Sequence, residues 1–202
     1  MQIISFNNIN EILGSNGSDR LQASEVTDAI DGLAGNDVFQ VNLNALTAGD
    51  VLVGGNDIDR INFSGGTASQ LLSLNLGSAN QLVALSTPGM SGDGPLLSPF
   101  EQVSLAAFAG GGILIGDNQD NWPIGSPQQD ALTGDAGVDT FGLASLTHSL
   151  LTTLDVIADY SSQDRIDSPL PTITLSRSSG NATALTSGAS GAVLEHQRVS
   201  GR

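Results

Sequence analysis

The sequence predicts an all-β fold, a β-solenoid of short parallel strands, and two periodicities carry this prediction. Aspartate recurs every nine residues at Asp19, Asp28 and Asp37, and an apolar residue follows each aspartate by two positions. A second block repeats the spacing at 121, 130 and 139. One apolar residue in nine fits neither a helix, which needs one every three or four positions, nor a half-buried strand, which needs one every two. Each repeat is therefore about six turn residues and three strand residues, and such units must stack to bury a core.

The elements follow in order along the chain. Residues 1–64 hold the first repeat block, although the register slips by four after Phe39 and resumes near Asp50 and Asp59. Residues 65–115 lose most aspartates and contain apolar pieces at 71–76, 81–85 and 102–105, which predicts a strand-rich spacer or metal-free rungs of the same solenoid. Residues 116–142 hold the second block. Leucines between 143 and 154 have helical spacing, so 143–171 is predicted to be a capping helix and strand segment. Residues 172–202 form a low-complexity tail, which we interpret as the end of a truncated or shifted reading of a longer protein.

The turns carry the candidate chemistry. The clearest units start at Gly14, Gly32, Gly54 and Gly134 and have the form Gly-x-x-x-x-Asp. Glycine permits a backbone with positive φ, and each aspartate adds charged oxygens to the carbonyl oxygens of the turn. Calcium accepts six to eight such oxygen ligands in loose geometry. Zinc, copper and iron usually take thiolate or imidazole, and the chain has no cysteine and only two histidines.

The sequence therefore predicts calcium sites built from turn residues. The candidate ligand positions are Gly14, Asn16, Gly17, Asp19, Asp28, Gly32, Ala34, Gly35, Asp37, Asp50, Gly54, Asn56, Asp59, Gly116, Asn121, Gly125, Asp130, Gly134, Ala136, Gly137 and Asp139. Asp155, Asp159, Asp164 and Asp167 are either one further site or a solvated edge.

These units resemble the RTX, or haemolysin-type, calcium-binding repeat Gly-Gly-x-Gly-x-Asp-x-apolar-x. The resemblance covers 14–39 and 116–142, with one extra unit near 50–61. It implies a parallel β-roll in which two nonapeptides make one coil, so that turns eighteen residues apart are neighbours. Calcium would then lie between the turns 14–19 and 32–37, and between 116–121 and 134–139. The turns ending at Asp28 and Asp130 keep the aspartate but lack the glycine at the fourth place of the motif, and they make a poorer opposite edge.

The charge of the chain is consistent with cation binding. There are 21 acidic residues against 6 basic ones, which gives a formal charge of −15. An anionic chain with little aromatic content orders at a large entropic cost, so we expect calcium binding to be coupled to folding. The sign of the charge disfavours nucleic-acid binding.

We expect a secreted, extracellular or surface-displayed bacterial protein. Extracellular calcium modules bind weakly, at about 10⁻⁴ to 10⁻³ M, so such sites fill outside the cell. The N-terminal residues show no signal-peptide pattern, and no apolar run is long enough to span a membrane. The resemblance implies instead a type I-like export system that reads a C-terminal signal.

An enzymatic role is not expected. The sequence contains no zinc-binding His-Glu-x-x-His helix, no Gly-x-Ser-x-Gly elbow and no phosphate-binding loop. Two alternatives to a calcium-dependent module stay open at this point. One is a calcium-indifferent structural or adhesive β-solenoid, and the other is the repeat tail of an exported hydrolase.

Overall fold

The protein is all-β in the part that the structure, a computed structural model, describes. That part comprises residues 2–6, 9–85, 95–144 and 155–167, together with the backbone of three later strands. The strands are, in chain order, β1 (Gln2–Phe6), β2 (Ile9–Ser15), β3 (Arg20–Gln22), β4 (Thr27–Leu33), β5 (Val38–Asn42), β6 (Val51–Val53), β7 (Arg60–Gly65), β8 (Leu71–Asn75), β9 (Leu82–Leu85), β10 (Leu96–Leu97), β11 (Gln102–Phe108), β12 (Gly111–Asp117), β13 (Trp122–Ile124), β14 (Ala131–Asp135), β15 (Thr140–Gly142), β16 (Val156–Ile157), β17 (Arg165–Asp167), β18 (Thr174–Arg177), β19 (Ala182–Thr186) and β20 (Glu195–Gln197).

Three sheets build a β-solenoid of about six turns, which confirms the predicted fold class. Sheet I has the order β1-β2-β4-β6-β10, and sheet III has the order β18-β19-β20-β16-β14-β12-β8-β9. Sheet II runs through all coils in the order β17-β15-β13-β11-β7-β5-β3. In both repeat blocks the chain alternates between sheet II and one of the other two sheets, so each coil contributes one strand to each face.

The predicted apolar positions fill the core. In sheet II, Leu21, Phe39, Ile61, Val103 and Pro123 lie in register on successive strands, and all five are buried. Sheet I aligns Ile12, Ile30, Leu52 and Leu97 in the same way, and sheet III aligns Leu74, Leu114, Leu132 and Ile157. Parallel in-register stacking requires the same residue class at the same place in each coil, which is why the apolar period matches the aspartate period.

The middle segment supplies strands to these sheets. Strand β11 pairs with β7 on one side and β13 on the other, so sheet II is continuous through the segment that lacks repeats. Strand β10 extends sheet I, and β8 pairs with β12 to extend sheet III. The ring of Phe100, just before β11, packs edge-on against Phe39 with 4.9 Å between ring centroids. The middle segment therefore packs into the same core as the repeats.

Some sequence predictions lie outside the described residues. The predicted capping helix falls mostly on 145–154, and the side chains of the tail beyond 167 are not described. Leu143, at the start of the predicted helix, is a buried residue directly after β15.

Candidate metal sites in the stacked turns

An acidic or amide residue stands directly before each strand of sheet II, and together these residues form what we term the first ladder. Its members are Asp19, Asp37, Asp59, Glu101, Asn121, Asp139 and Asp164. The backbone N–H of Asp19 donates to Oδ1 of Asp37 at 2.8 Å, and the N–H of Asp37 donates to Oδ1 of Asp59 at 2.8 Å. The N–H of Asp59 donates to Oε2 of Glu101 at 2.8 Å. One carboxylate oxygen of each of these acceptors thus ties its coil to the preceding one.

The second repeat block continues the first ladder with the same geometry. The N–H of Asn121 donates to Oδ1 of Asp139 at 2.9 Å, and the N–H of Asp139 donates to Oδ1 of Asp164 at 3.0 Å. These contacts confirm that the turns 14–19 and 32–37 are neighbours, and likewise 116–121 and 134–139.

A second ladder lies at the other edge, where strands of sheets I and III begin. The N–H of Asp28 donates to Oδ1 of Asp50 at 2.9 Å, and the N–H of Asp130 donates to Oδ1 of Asp155 at 3.0 Å. Oδ1 of Asp130 in turn accepts from the N–H of Gly112 at 2.6 Å. Repeated aspartates therefore join coils on both edges of the solenoid.

In most turns the second carboxylate oxygen is also occupied. A serine four residues before the aspartate donates both its N–H and its hydroxyl group to the carboxylate, as Ser15 does to Asp19, Ser24 to Asp28 and Ser126 to Asp130. Thr47 closes the turn of Asp50 in the same way from three residues before it. Hydrogen bonds of this kind satisfy the carboxylates without a metal ion.

Three glycine turns depart from this arrangement. They span 32–37, 54–59 and 134–139, and each has positive φ at its second and fourth residues. The pairs are Leu33 (76°) with Gly35 (105°), Gly55 (117°) with Asp57 (76°), and Asp135 (63°) with Gly137 (136°). A left-handed conformation at these positions is costly for leucine and aspartate, so the turn shape is held by its surroundings.

Two aspartates of the glycine turns have an unpaired oxygen. Oδ2 of Asp37 and Oδ2 of Asp59 are buried and accept no hydrogen bond. The corresponding residue of the third turn, Asp139, is equally buried, at 1% exposure. A buried carboxylate oxygen without a donor is expensive, and an ion or an ordered water is a common explanation for such an atom.

Backbone oxygens converge on the same places. A side chain at Gly32 would collide with the carbonyl oxygen of Gly54 and with Oδ2 of Asp37. A side chain at Gly54 would likewise meet the carbonyl oxygen of Pro99 and Oδ2 of Asp59. The glycine at the start of each of these two turns therefore leaves room for one carboxylate oxygen of its own turn and one carbonyl oxygen of the next coil. This donor set of carbonyl and carboxylate oxygens suits a hard cation.

Burial is the main cause of the raised pKa values in the glycine turns 32–37 and 54–59. Burial raises the pKa of Asp37, and the nearby Asp19 and Asp31 add to the effect. Burial raises the pKa of Asp59 to about 6, with further contributions from Glu101, Asp37 and Asp57. The hydrogen bonds from Ser15 instead lower the pKa of Asp19. Burial and the neighbouring carboxylates therefore disfavour the charged forms of Asp37 and Asp59, and a bound cation would offset this cost.

Burial also affects Asp130, although its carboxylate is fully hydrogen-bonded. Its pKa is raised to about 7, first by burial and then by the charge of Asp155, against the lowering effect of the bonds from Ser126. The pKa of Asp139 is raised as well, first by burial and then by the charges of Asp164, Asp159 and Asp120.

The other predicted ligand positions lie around these turns. Ala34 and Asn56 pair in an isolated bridge between neighbouring glycine turns, while Asn16 and Gly17 are exposed in the first turn. The side chain of Asn121 closes its own turn, because its Oδ1 accepts the N–H of Asp117 at 2.7 Å. A side chain at Gly125 would meet Asp130, and one at Gly116 would meet Asn121 and Gly134.

Sequence reasoning missed one contributor and left another open. Glu101 occupies a ladder position 42 residues after Asp59, beyond the reach of a nine-residue period. The position of Glu101 directly before a strand would have been the signal. Asp159, which the sequence assigned either to a further site or to a solvated edge, accepts from the N–H groups of Gly134 at 2.9 Å and Asp135 at 2.7 Å, and this adds a third acidic side chain around the turn 134–139.

Among the described residues, no three His, Asp or Glu side chains come close enough together to hold a metal by themselves. A cation at the glycine turns would therefore need backbone carbonyl ligands. Within the same ranges there is no helix of the length and apolarity that a membrane crossing requires. The sequence matches no protein-family model and no curated protein.

Proposed function

We propose that the protein is a calcium-binding β-solenoid, with its sites at the glycine turns of the first ladder. The supporting observation is that Oδ2 of Asp37 and Oδ2 of Asp59 are buried without a hydrogen-bond donor. In the serine-closed turns of Asp28 and Asp130, both carboxylate oxygens accept hydrogen bonds from within the chain, whereas in these two turns one oxygen accepts none. A cation bound to each unpaired oxygen and to the carbonyl oxygens beside it would remove this deficit.

The proposal assigns different roles to the predicted ligand positions. The turns 32–37 and 54–59 are adjacent and form one candidate calcium-binding segment, and the turn 134–139 with Asp159 forms another. The carboxylates of Asp19, Asp28, Asp50 and Asp130 act as hydrogen-bond acceptors that join coils.

Few charges per site are consistent with weak binding. Sites built from one carboxylate per turn and several carbonyls belong to the weak end of calcium affinities, about 10⁻⁴ to 10⁻³ M. We therefore propose that the protein works outside the cell or at its surface, with export through a type I-like system before calcium binds.

A calcium-indifferent structural solenoid is the second candidate. It is favoured by the second ladder, where Asp28, Asp50 and Asp130 receive donors on both carboxylate oxygens. In that case the unpaired oxygens of Asp37 and Asp59 would be protonated or hydrated.

A calcium titration of matched variants distinguishes the two. We expect Asp37→Asn and Asp59→Asn to bind fewer calcium ions per chain in equilibrium dialysis, because each substitution removes a charged ligand from the segment 32–59 and leaves the turn 134–139 intact. Asp28→Asn, in a serine-closed turn of the opposite edge, is the control and should keep the stoichiometry of the unmodified protein. Equal binding by all four proteins, or no binding by any of them, would reject the proposal.

A further inference from the structure

The outer surface of sheet II carries a row of mostly polar side chains across all seven strands. One residue per strand contributes, and we name this set the arginine row: Arg20, Val38, Arg60, Gln102, Trp122, Thr140 and Arg165. These residues alternate along their strands with the buried residues of the core, so their side chains point away from it. None of them belongs to the calcium sites proposed above.

The arginine row contains every arginine whose side chain the structure describes. The chain has no lysine and a formal charge of −15, yet Arg20, Arg60 and Arg165 fall on the same row of the same sheet. None of the three forms an ion pair with a carboxylate in the described part of the chain. The corresponding outer rows of sheet I carry Glu11, Asp31 and aliphatic residues. Positive charge is therefore concentrated on one face of an otherwise acidic solenoid.

The centre of the row is ordered by its own contacts. Nε of Arg60 donates to Oε1 of Gln102 at 2.9 Å, and the guanidinium carbon lies 4.6 Å from the centroid of the Trp122 ring. Stacking on an aromatic ring restricts the guanidinium group and leaves its remaining N–H groups available. Arg60 is thus preorganised for a partner that accepts hydrogen bonds.

The neighbouring row adds mostly uncharged groups. Gln22, Gln40, Asn62 and Ser104 follow the arginine row on successive strands, in register, and the row continues through Ile124 and Gly142 to Asp167. At about 4.8 Å per strand, Arg20 and Arg60 are separated by about 10 Å, and Arg60 and Arg165 by about 19 Å. Over the strands β3 to β11 the face is therefore a strip of amide and hydroxyl groups with positive charges at intervals, and at its far end Arg165 shares a strand with the exposed carboxylate of Asp167.

We propose that this face binds an extended acidic polysaccharide through its carboxylates and hydroxyl groups. Guanidinium groups match carboxylates in charge and geometry, and the amide side chains match hydroxyl groups. A protein partner is less suited, because the two rows offer few apolar side chains beyond Val38, Trp122 and Ile124, and interface centres need such anchors. Duplex nucleic acid is disfavoured because its dense phosphates would face the net negative charge of the whole molecule.

The test uses hyaluronan fragments, whose carboxylates alternate with uncharged sugars. Trp122 is the only tryptophan in the chain and lies in the row, so its fluorescence reports binding directly. We expect saturable binding that weakens as salt increases, and little binding of the same polymer after its carboxyl groups are reduced to alcohols. The variant Arg20→Gln with Arg60→Gln and Arg165→Gln should bind at least about tenfold more weakly.

A control variant separates the row from overall charge. Ala29→Asp with Ser73→Asp and Thr133→Asp changes the net charge by the same amount on the outer face of the other sheets, and it should bind hyaluronan as the unmodified protein does. The proposal is overturned if hyaluronan does not bind, if the carboxyl-reduced polymer binds equally well, or if both variants lose affinity alike. It is also overturned if only self-association, measured by sedimentation, responds to the arginine substitutions, since the row would then be an interface between copies.

Discussion

The serine-closed turns offer a direct measure of how much the stacked carboxylates contribute to stability. Ser126 and Ser15 make the same contacts in different environments. Each donates its N–H and hydroxyl group to an aspartate four residues later, and each hydroxyl oxygen accepts an N–H from two residues later. Ser126 is 3% exposed and Asp130 is 2% exposed, whereas Ser15 lies on the surface.

We predict that Ser126→Ala lowers the free energy of unfolding by about 2–3 kcal/mol, because it leaves a buried carboxylate short of a donor and the N–H of Gln128 without its acceptor. Ser15→Ala should cost less than about 1 kcal/mol, since water replaces the lost hydroxyl group. The bonds from Ser126 favour the charged form of Asp130, so the loss in Ser126→Ala should be larger at pH 8 than at pH 6.

Urea unfolding followed by circular dichroism measures both variants at each pH. With a slope of about 2 kcal/mol per molar urea, the Ser126→Ala midpoint should fall by about 1 M or more. If the two serine variants lose equal stability, burial of the turn does not determine the strength of the ladder, and the reasoning is wrong.

Two further predictions concern the glycine turns and the titration of the ladder. Gly32→Ala should destabilise the protein strongly and reduce calcium binding in dialysis, because the added methyl group would meet the carbonyl oxygen of Gly54 and the carboxylate of Asp37. Gly77→Ala is the control, since the nearest atom to its methyl group would be 3.4 Å away. Equal effects of the two substitutions would contradict the crowding seen at Gly32. In excess chelator, the melting temperature should fall as the pH rises from about 4 to about 7. The pKa values of Asp59 and Asp130 are raised in the folded chain, so over this range the folded chain holds protons that the unfolded chain has released. A melting temperature that rises steadily across this pH range would contradict those shifts.

The coil architecture could be predicted because the sequence repeats two kinds of residue in one register. Leu21, Ile30 and Phe39 each follow an aspartate by two positions, and all three are buried as predicted. In-register parallel stacking makes such periodicity necessary. The fold can therefore be predicted from a fixed period in the sequence wherever the coils have equal length.

The nine-residue period could not locate every ladder position, because coils differ in length. Asp37 and Asp59 are 22 residues apart, and Asp139 and Asp164 are 25 apart, yet each pair is joined by the same hydrogen bond. The stacking requires a hydrogen-bond acceptor in the residue before each strand of sheet II, but it does not fix the length of the loop between coils. A fixed period in the sequence therefore finds Asp19 and misses Glu101.

The sequence could not show which carboxylates the chain itself satisfies. Four positions before the aspartate, the serine-closed turns have Ser15, Ser24 or Ser126, and the glycine turns have Leu33, Gly55 or Asp135. The effect of this difference depends on backbone φ, which is positive at Leu33, Gly55 and Asp135. Only the three-dimensional structure shows that Oδ2 of Asp37 and Oδ2 of Asp59 are left without a donor.

The most direct test of the central claim is the far-ultraviolet circular dichroism and thermal unfolding of the whole chain in excess chelator and in millimolar calcium. The proposed sites predict that calcium, and magnesium much less, increases β-sheet content and raises the melting temperature, because only the folded chain presents the oxygens of Asp37 and Asp59 together with the carbonyl groups beside them. Identical spectra and identical melting temperatures in chelator and in calcium would contradict it.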